Sequence, residues 1–121
     1  MRDIEVQRMM DVADNLLDNE KYKEAIQQYI DTMKLAREDW REGIKDELWQ
    51  KKVIFMACNG MGIAYAKLGK PIDTIENFQD AIKYAPSEKA KNVAIRNLEK
   101  YKEALKDKFM SIKIIEFDRS R

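Results

Sequence analysis

The chain has 121 residues, enough for one domain that spans 1–121, and its 23 basic and 22 acidic side chains leave a net charge of +1. This balance excludes an overall electrostatic attraction to nucleic acid or to an anionic membrane. A single cysteine excludes an internal disulfide framework and is typical of a reducing compartment, so we expect a cytoplasmic protein with no membrane partner. Four glycines and two prolines predict few loops and an all-α fold.

The first two predicted elements are helices joined by a tight turn. Apolar residues keep a 3.6-residue period over residues 4–18 and again from about residue 21 to residue 36. Between them, residues 18–20 favour a turn, and Asn19 is well suited to its left-handed position. The sequence therefore predicts a helical hairpin at the start of the chain.

The next three predicted elements are also helices, and each has a recognisable boundary. The third ends near Leu68, because Gly69 is a typical C-terminal stop. Pro71 fits the first turn of a fourth helix, and Ser87 is a suitable N-cap for a fifth. The chain is therefore expected to form about five helices.

The segment 58–86 carries the most specific pattern of the chain. It places large and small residues at fixed intervals, namely Cys58, Met61, Gly62, Tyr65, Gly69, Thr74, Phe78, Ala81 and Pro86. This spacing resembles the tetratricopeptide repeat (TPR), a pair of antiparallel helices in which an aromatic residue, Leu-Gly, Tyr, Ala-x₃-Phe and Pro recur. The resemblance implies a short right-handed stack of helix pairs, because each pair buries its apolar face only against its neighbours.

A looser version of the same pattern covers residues 6–37, and residues 55–86 form the second repeat. The first repeat carries the pattern at Met9, Val12, Ala13, Leu16, Ala25 and Tyr29. Ala13 and Gly62 are equivalent and lie 49 residues apart, which exceeds the usual 34 by 15. The surplus predicts a lengthened hairpin between the second and third helices at 38–54, with a bend near residues 41–45. Its expected satellite core consists of Trp40, Ile44, Leu48 and Trp49.

By resemblance to this family, the inner, concave face of the stack is the binding surface. The residues that the resemblance places there are Met10, Asp14, Met56, Asn59, Ile63, Val93 and Asn97. Methionines suit surfaces that repack around varied partners. We therefore expect a non-enzymatic protein-interaction module or adaptor that binds a peptide or helix of unknown identity. The alternative is that several of these side chains pack on neighbouring helices.

Some members of the family hold the acidic C-terminal tails of chaperones in a clamp of Lys, Asn and Arg side chains. The corresponding positions here are Met10, Asp14, Gly60, Ala90 and Ala94. None of them carries an amide or a cation, and a bound carboxylate needs charge-assisted donors. Chaperone-tail binding of that type is therefore not expected.

Residues 87–121 are interpreted as a capping helix with an apolar tail, which raises an alternative function. The candidate self-association residues of segment 109–117 are its aromatic and β-branched side chains, Phe109, Ile112, Ile114, Ile115 and Phe117. The segment either continues the fifth helix, folds back into the groove, or pairs with another subunit to give a self-associating structural protein such as a homodimer.

Charge is also distributed unevenly along the chain. The first helix is acidic and the fifth is basic, which indicates head-to-tail contact, a polar partner, or two solvated helix faces. The basic helix lacks an aromatic stacking platform, so nucleic acid is not an expected partner.

No catalytic, cofactor-binding or metal-binding residue is predicted. Cys58 occupies a large apolar position of the repeat, where a free cysteine behaves as a small buried hydrophobe. The chain has no histidine, which removes both the usual activating base and the commonest zinc ligand. We therefore expect no enzymatic activity and no cofactor.

Overall fold

Five helices follow one another along the described chain. The computed structural model describes the backbone of residues 2–119 and the side chains of residues 4–109. The helices are α1 (Arg2–Asp18), α2 (Tyr22–Arg41), α3 (Glu47–Lys67), α4 (Pro71–Lys83) and α5 (Glu88–Arg119). Each packs antiparallel against the next, and α1 also touches α3, which confirms the prediction of an all-α fold of five helices. Within the described residues, no helix has both the length and the apolar composition that crossing a bilayer requires.

Local chemistry fixes most of the helix boundaries. Gly69 follows α3 with a φ of +71°, and Pro71 begins α4, both as predicted. The hydroxyl of Ser87 accepts a hydrogen bond of 3.1 Å from the backbone N–H three residues further on, so the predicted cap of α5 is confirmed. Asp46 caps α3 in the same way, with a bond of 2.8 Å from the N–H of Trp49.

The turn between α1 and α2 differs from its prediction by one residue. The sequence favours Asn19 for the left-handed position, whereas Glu20 adopts it with a φ of 62°. The backbone N–H and the side-chain amide of Asn19 both donate to the carbonyl of Asn15, at 3.0 and 2.8 Å. These bonds hold Asn19 against the last helical turn and move the reversal to the next residue.

The hairpin between α2 and α3 is built from two long helices, and its bend lies close to the predicted bend at residues 41–45. The two helices have 20 and 21 residues, and the bend covers residues 42–46. The predicted satellite core is wrong, however, because Trp40, Ile44 and Leu48 each remain about half exposed. Two helix ends offer too little surface to bury three large side chains. Trp49 alone of the four packs against the main core.

Small residues allow the helices to approach closely. Seven alanines of the core have no exposed surface, namely Ala13, Ala25, Ala36, Ala57, Ala64, Ala81 and Ala94. A Cβ atom on Gly60 would come within 3.0 Å of the Tyr29 ring on α2, and one on Gly62 within 3.0 Å of the Phe78 ring on α4. The two glycines therefore let α2 and α4 pack tightly on opposite faces of α3.

Helix α5 is much longer than the helix on which it packs. It has 32 residues, against 13 in α4. Ala94 and Leu98 are buried, and Tyr101 meets Phe78 edge-on with the ring centres 6.5 Å apart. The backbone then continues as helix to Arg119, so the interpretation of the C-terminal segment as a helical continuation is confirmed and a return into the groove is wrong.

Replacing Gly60 by alanine tests the close contact between α2 and α3. At an exposed helix position, replacing glycine by alanine raises the free energy of unfolding by about 1 kcal/mol, because alanine has the higher helix propensity. Here the added methyl group overlaps the Tyr29 ring, so we expect the free energy of unfolding to fall by about 1–3 kcal/mol, as in other overpacked cores. Urea unfolding followed by circular dichroism measures the change.

The control is Lys67→Ala, at an exposed position of the same helix, which we expect to change stability by less than about 0.5 kcal/mol. The double variant Gly60→Ala/Tyr29→Leu should lose less than the sum of its two single changes, because the smaller side chain removes the overlap. Simple additivity would mean that the ring does not limit how closely the two helices approach.

Candidate binding groove

A row of exposed apolar side chains borders the space between α3 and α5. Met56 and Ile63 on α3 are 45% and 39% exposed, and Val93 on α5 is 41% exposed. Met56 and Ile63 are seven residues apart and therefore share one face of α3. Asn97 follows Val93 by one helical turn and is half-buried. The structure thus leaves these predicted groove residues on surfaces that a ligand can reach.

Beside Val93 lies a cavity of about 290 Å³. Its lining residues are Phe55, Asn59, Ser87, Lys89, Ala90 and Val93. Helix α3 supplies the first two, and the start of α5 with its capping residue supplies the others. The cavity therefore marks the place where α3 and α5 face each other without packing tightly.

Asn59 is the polar centre of this cavity. Its side chain is half-buried, and its oxygen Oδ1 is shielded from solvent and has no hydrogen-bond partner among the described residues. Buried polar atoms are nearly always paired, and an unpaired one costs about 1–3 kcal/mol. Asn59 therefore lines the cavity with an amide group whose shielded oxygen becomes available to a ligand when the side chain rotates.

Helix α1 contributes less to the groove than predicted. Met10 is 2% exposed and lies in the core, because the helical period that buries Val6 and Ala13 buries Met10 with them, and its assignment to the groove is corrected. Asp14 is exposed, but its carboxylate accepts a hydrogen bond of 2.5 Å from the Tyr29 hydroxyl on α2.

The bond between Tyr29 and Asp14 ties α1 to α2. Burial raises the pKa of Tyr29 far above its usual value, and the hydrogen bond and negative charge of Asp14 raise it further. The phenol therefore stays protonated at neutral pH and keeps donating. Asp14 supports the fold through this bond, in addition to forming part of the exposed surface of α1.

The five positions that would form a chaperone-tail clamp are unsuited to binding a carboxylate. Met10 and Ala94 lie in the core, and Gly60 is covered by an aromatic ring. Ala90 lines the cavity without a polar side chain, and Asp14 is negatively charged. An acidic tail would find no donor side chain at these five positions.

Sequence reasoning missed a second cleft, which we call the α5 cleft. It has a volume of about 720 Å³ and is lined by Ala66, Gly69, Pro71, Tyr101, Lys102, Ala104, Leu105, Lys106, Lys108 and Phe109. A signal for one wall was present, since Tyr101, Leu105 and Phe109 recur every four residues and form an apolar stripe on α5. The opposite wall comes from the corner between α3 and α4, which no local pattern reveals.

The predicted self-association residues are described only in part. Phe109 is 57% exposed and lines the α5 cleft. The side chains of Ile112, Ile114, Ile115 and Phe117 lie outside the described residues. Self-association through these four residues therefore stays a prediction.

Cys58 lies in the core. Burial raises the pKa of its thiol to about 12, and Asp80 also raises it, while Arg37 acts in the opposite direction. The reactive thiolate is therefore scarce at neutral pH. The prediction that Cys58 is buried is confirmed.

A scan of protein-family models and searches of curated proteins and of solved structures found no match to this chain. Among the side chains of residues 4–109, no three His, Cys, Asp or Glu residues stand close enough together to hold a metal ion.

The burial of Cys58 predicts slow chemical labelling of the folded protein. Iodoacetamide attacks the thiolate, and the raised pKa leaves far less thiolate in the folded than in the unfolded state near pH 8. We expect labelling in native buffer to be at least about a hundredfold slower than in denaturant. Mass spectrometry gives both rates, and equal rates would mean that Cys58 is accessible in the native state.

Proposed function

We propose that this chain is a non-enzymatic protein-interaction module that binds a peptide or a helix in the groove between α3 and α5. The observation that carries the proposal is the cavity between α3 and α5, which the half-buried amide of Asn59 lines together with Val93 beside the exposed side chains of Met56 and Ile63. An unpaired acceptor does not stabilise the fold, whereas a ligand that donates to it removes the penalty. The neighbouring side chains of Met56, Ile63 and Val93 then cover apolar groups of the ligand.

We further assign the chain a short TPR-like architecture, with α5 as the capping helix. In the family pattern, a small residue of the first helix faces a large residue of the second, and the contact of Gly62 with Phe78 supports this arrangement in the second repeat. The contact of α1 with α3 supports it as well, because the first helices of successive pairs lie side by side in a stack.

The chemistry of the groove defines what the ligand must supply. Apolar side chains have to cover Met56, Ile63 and Val93, and each one fully buried contributes about 1.5–3 kcal/mol. Between them, a backbone or side-chain N–H has to reach Asn59 Oδ1. The unbranched side chain of Met56 adapts to apolar groups of different shape. A short peptide with apolar residues on both sides of a donor meets these requirements.

Peptides selected from a random displayed library, with the wild-type chain as bait, provide the ligand for a test. The variant Asn59→Ala/Ile63→Ala removes the acceptor and one apolar contact, so we expect it to weaken binding by at least about tenfold. Isothermal titration calorimetry gives the affinities. The matched control is Ile72→Ala, because Ile72 is even more exposed but lies on α4 outside the groove, and its affinity should equal that of the wild type.

Stability measurements separate a role in the groove from a role in the core. Asn59→Ala removes an unpaired buried oxygen, so it should not lower the free energy of unfolding. Loss of helicity in the double variant would mean that Asn59 and Ile63 are core residues. Selected peptides that bind the wild type and the double variant equally would place the binding surface elsewhere, and a library that yields no binder would contradict the proposal.

A further inference from the structure

Residues 101–109 of α5 form an apolar wall. Helix α4 begins at Pro71, and α5 runs past this point, so among the described residues the corner between α3 and α4 forms the opposite side of the cleft. Along the wall, Tyr101 and Leu105 are half-buried and Phe109 is more than half exposed. The α5 cleft therefore presents a stripe of apolar surface about 12 Å long, since eight residues separate the first and last of these side chains.

The charges around the α5 cleft have one sign. Lys102, Lys106 and Lys108 are the charged side chains among its described lining residues. Glu103 and Asp107 belong to the same turns of α5 but do not line the cleft. Lysine stems cover apolar surface while their ammonium groups stay in water at the rim. The cleft therefore suits an amphipathic helix whose apolar side chains are bordered by carboxylates.

Helix α1 of a second copy has the matching shape. Ile4 and Val12 lie on the outer face of α1, opposite its buried face, and the side chain of each is about half exposed. These two residues are also eight apart, or about 12 Å along the helix. The exposed apolar pair of α1 and the apolar stripe of the α5 cleft therefore have the same length.

Helix α1 also has the matching charge. It carries five carboxylates and two arginines, a net charge of −3. Glu5 and Asp11 are exposed directly beside Ile4 and Val12, so their carboxylates can reach the lysine rim. Arg8 lies between the two apolar residues, so the charges of Glu5, Arg8 and Asp11 along this face sum to −1.

We propose that α1 of one copy docks in the α5 cleft of a second copy, so that copies of the chain associate head to tail. Two α5 clefts facing each other would bring their lysine rims together, and repulsion disfavours that arrangement. The contact is heterologous, and it extends into a chain of copies unless the geometry closes a ring. The cleft is small for a permanent interface, so the association is weak and reversible.

The docking surface is separate from the groove between α3 and α5. The first residue of the apolar stripe, Tyr101, lies eight residues beyond Val93, which is about 12 Å along α5. On α1, Ile4 and Val12 are exposed, and neither lines the cavity between α3 and α5. Self-association and peptide binding therefore use different side chains, so variants of one surface leave the contacts of the other in place.

Sedimentation velocity and light scattering over a range of concentrations test the docking. The weight-average mass of the full chain should rise with concentration and fall as salt is added, because the paired charges are exposed. Lys102→Glu/Lys106→Glu reverses the rim and should leave monomers. The matched control, Lys91→Glu/Lys100→Glu, changes the net charge equally at exposed positions of α5 outside the cleft, and it should associate like the wild type.

Complementary variants distinguish head-to-tail docking from other arrangements. Glu5→Lys/Asp11→Lys reverses the docking face of α1 and should also be monomeric by itself. Mixing it with Lys102→Glu/Lys106→Glu pairs each reversed surface with one of opposite charge, so association should return in the mixture. Circular dichroism of each variant checks that the helices remain intact.

Three results would overturn the proposal. The first is a wild-type chain that stays monomeric at every concentration. The second is self-association that survives Glu5→Lys/Asp11→Lys, which would mean that α5 pairs with α5. The third is self-association that survives Lys102→Glu/Lys106→Glu, which would point to another surface, such as the exposed side chains of Trp40 and Leu48. Peptide binding by these variants reports separately on the groove.

Discussion

The structure depends on the tight packing of α3 between α2 and α4. Gly60 and Gly62 point to opposite sides of α3, and each leaves room for an aromatic ring of a neighbouring helix. A glycine within a helix costs about 1 kcal/mol in propensity, and the burial of Tyr29 and Phe78 offsets this cost. With both sides of α3 occupied in this way, Met56 and Ile63 on another face of the helix remain exposed.

Helix positions follow from the sequence because their signals act over a single turn. Gly69, Pro71 and Ser87 take the conformations and bonds that their chemistry favours wherever they occur. Asn19 shows where such reasoning fails, since two hydrogen bonds to Asn15 outweigh its intrinsic preference for the left-handed region. A one-residue difference of this kind does not alter which faces of the helices meet.

The surfaces are harder to predict than the helices, because exposure depends on neighbours that are distant in sequence. Periodicity and family resemblance place Ile63 and Val93 on open faces, but the same reasoning misplaces Met10, which the packing of α1 buries. Trp40 fails in the opposite sense, since the hairpin tip does not cover it. The missing donor at Asn59 and the second wall of the α5 cleft are three-dimensional properties, so a one-dimensional pattern does not contain them.

The two walls of the groove differ in how firmly they are held. Helix α3 is packed on both sides, whereas α5 packs mainly against α4. A rotation of α5 on α4 would therefore disturb mainly one helix interface while changing the distance of Val93 from α3. The same rotation moves the α5 cleft, because both surfaces belong to one continuous helix. By thermodynamic reciprocity, an occupant that favours one orientation of α5 changes the affinity at the other end of the helix, and is itself affected equally in return.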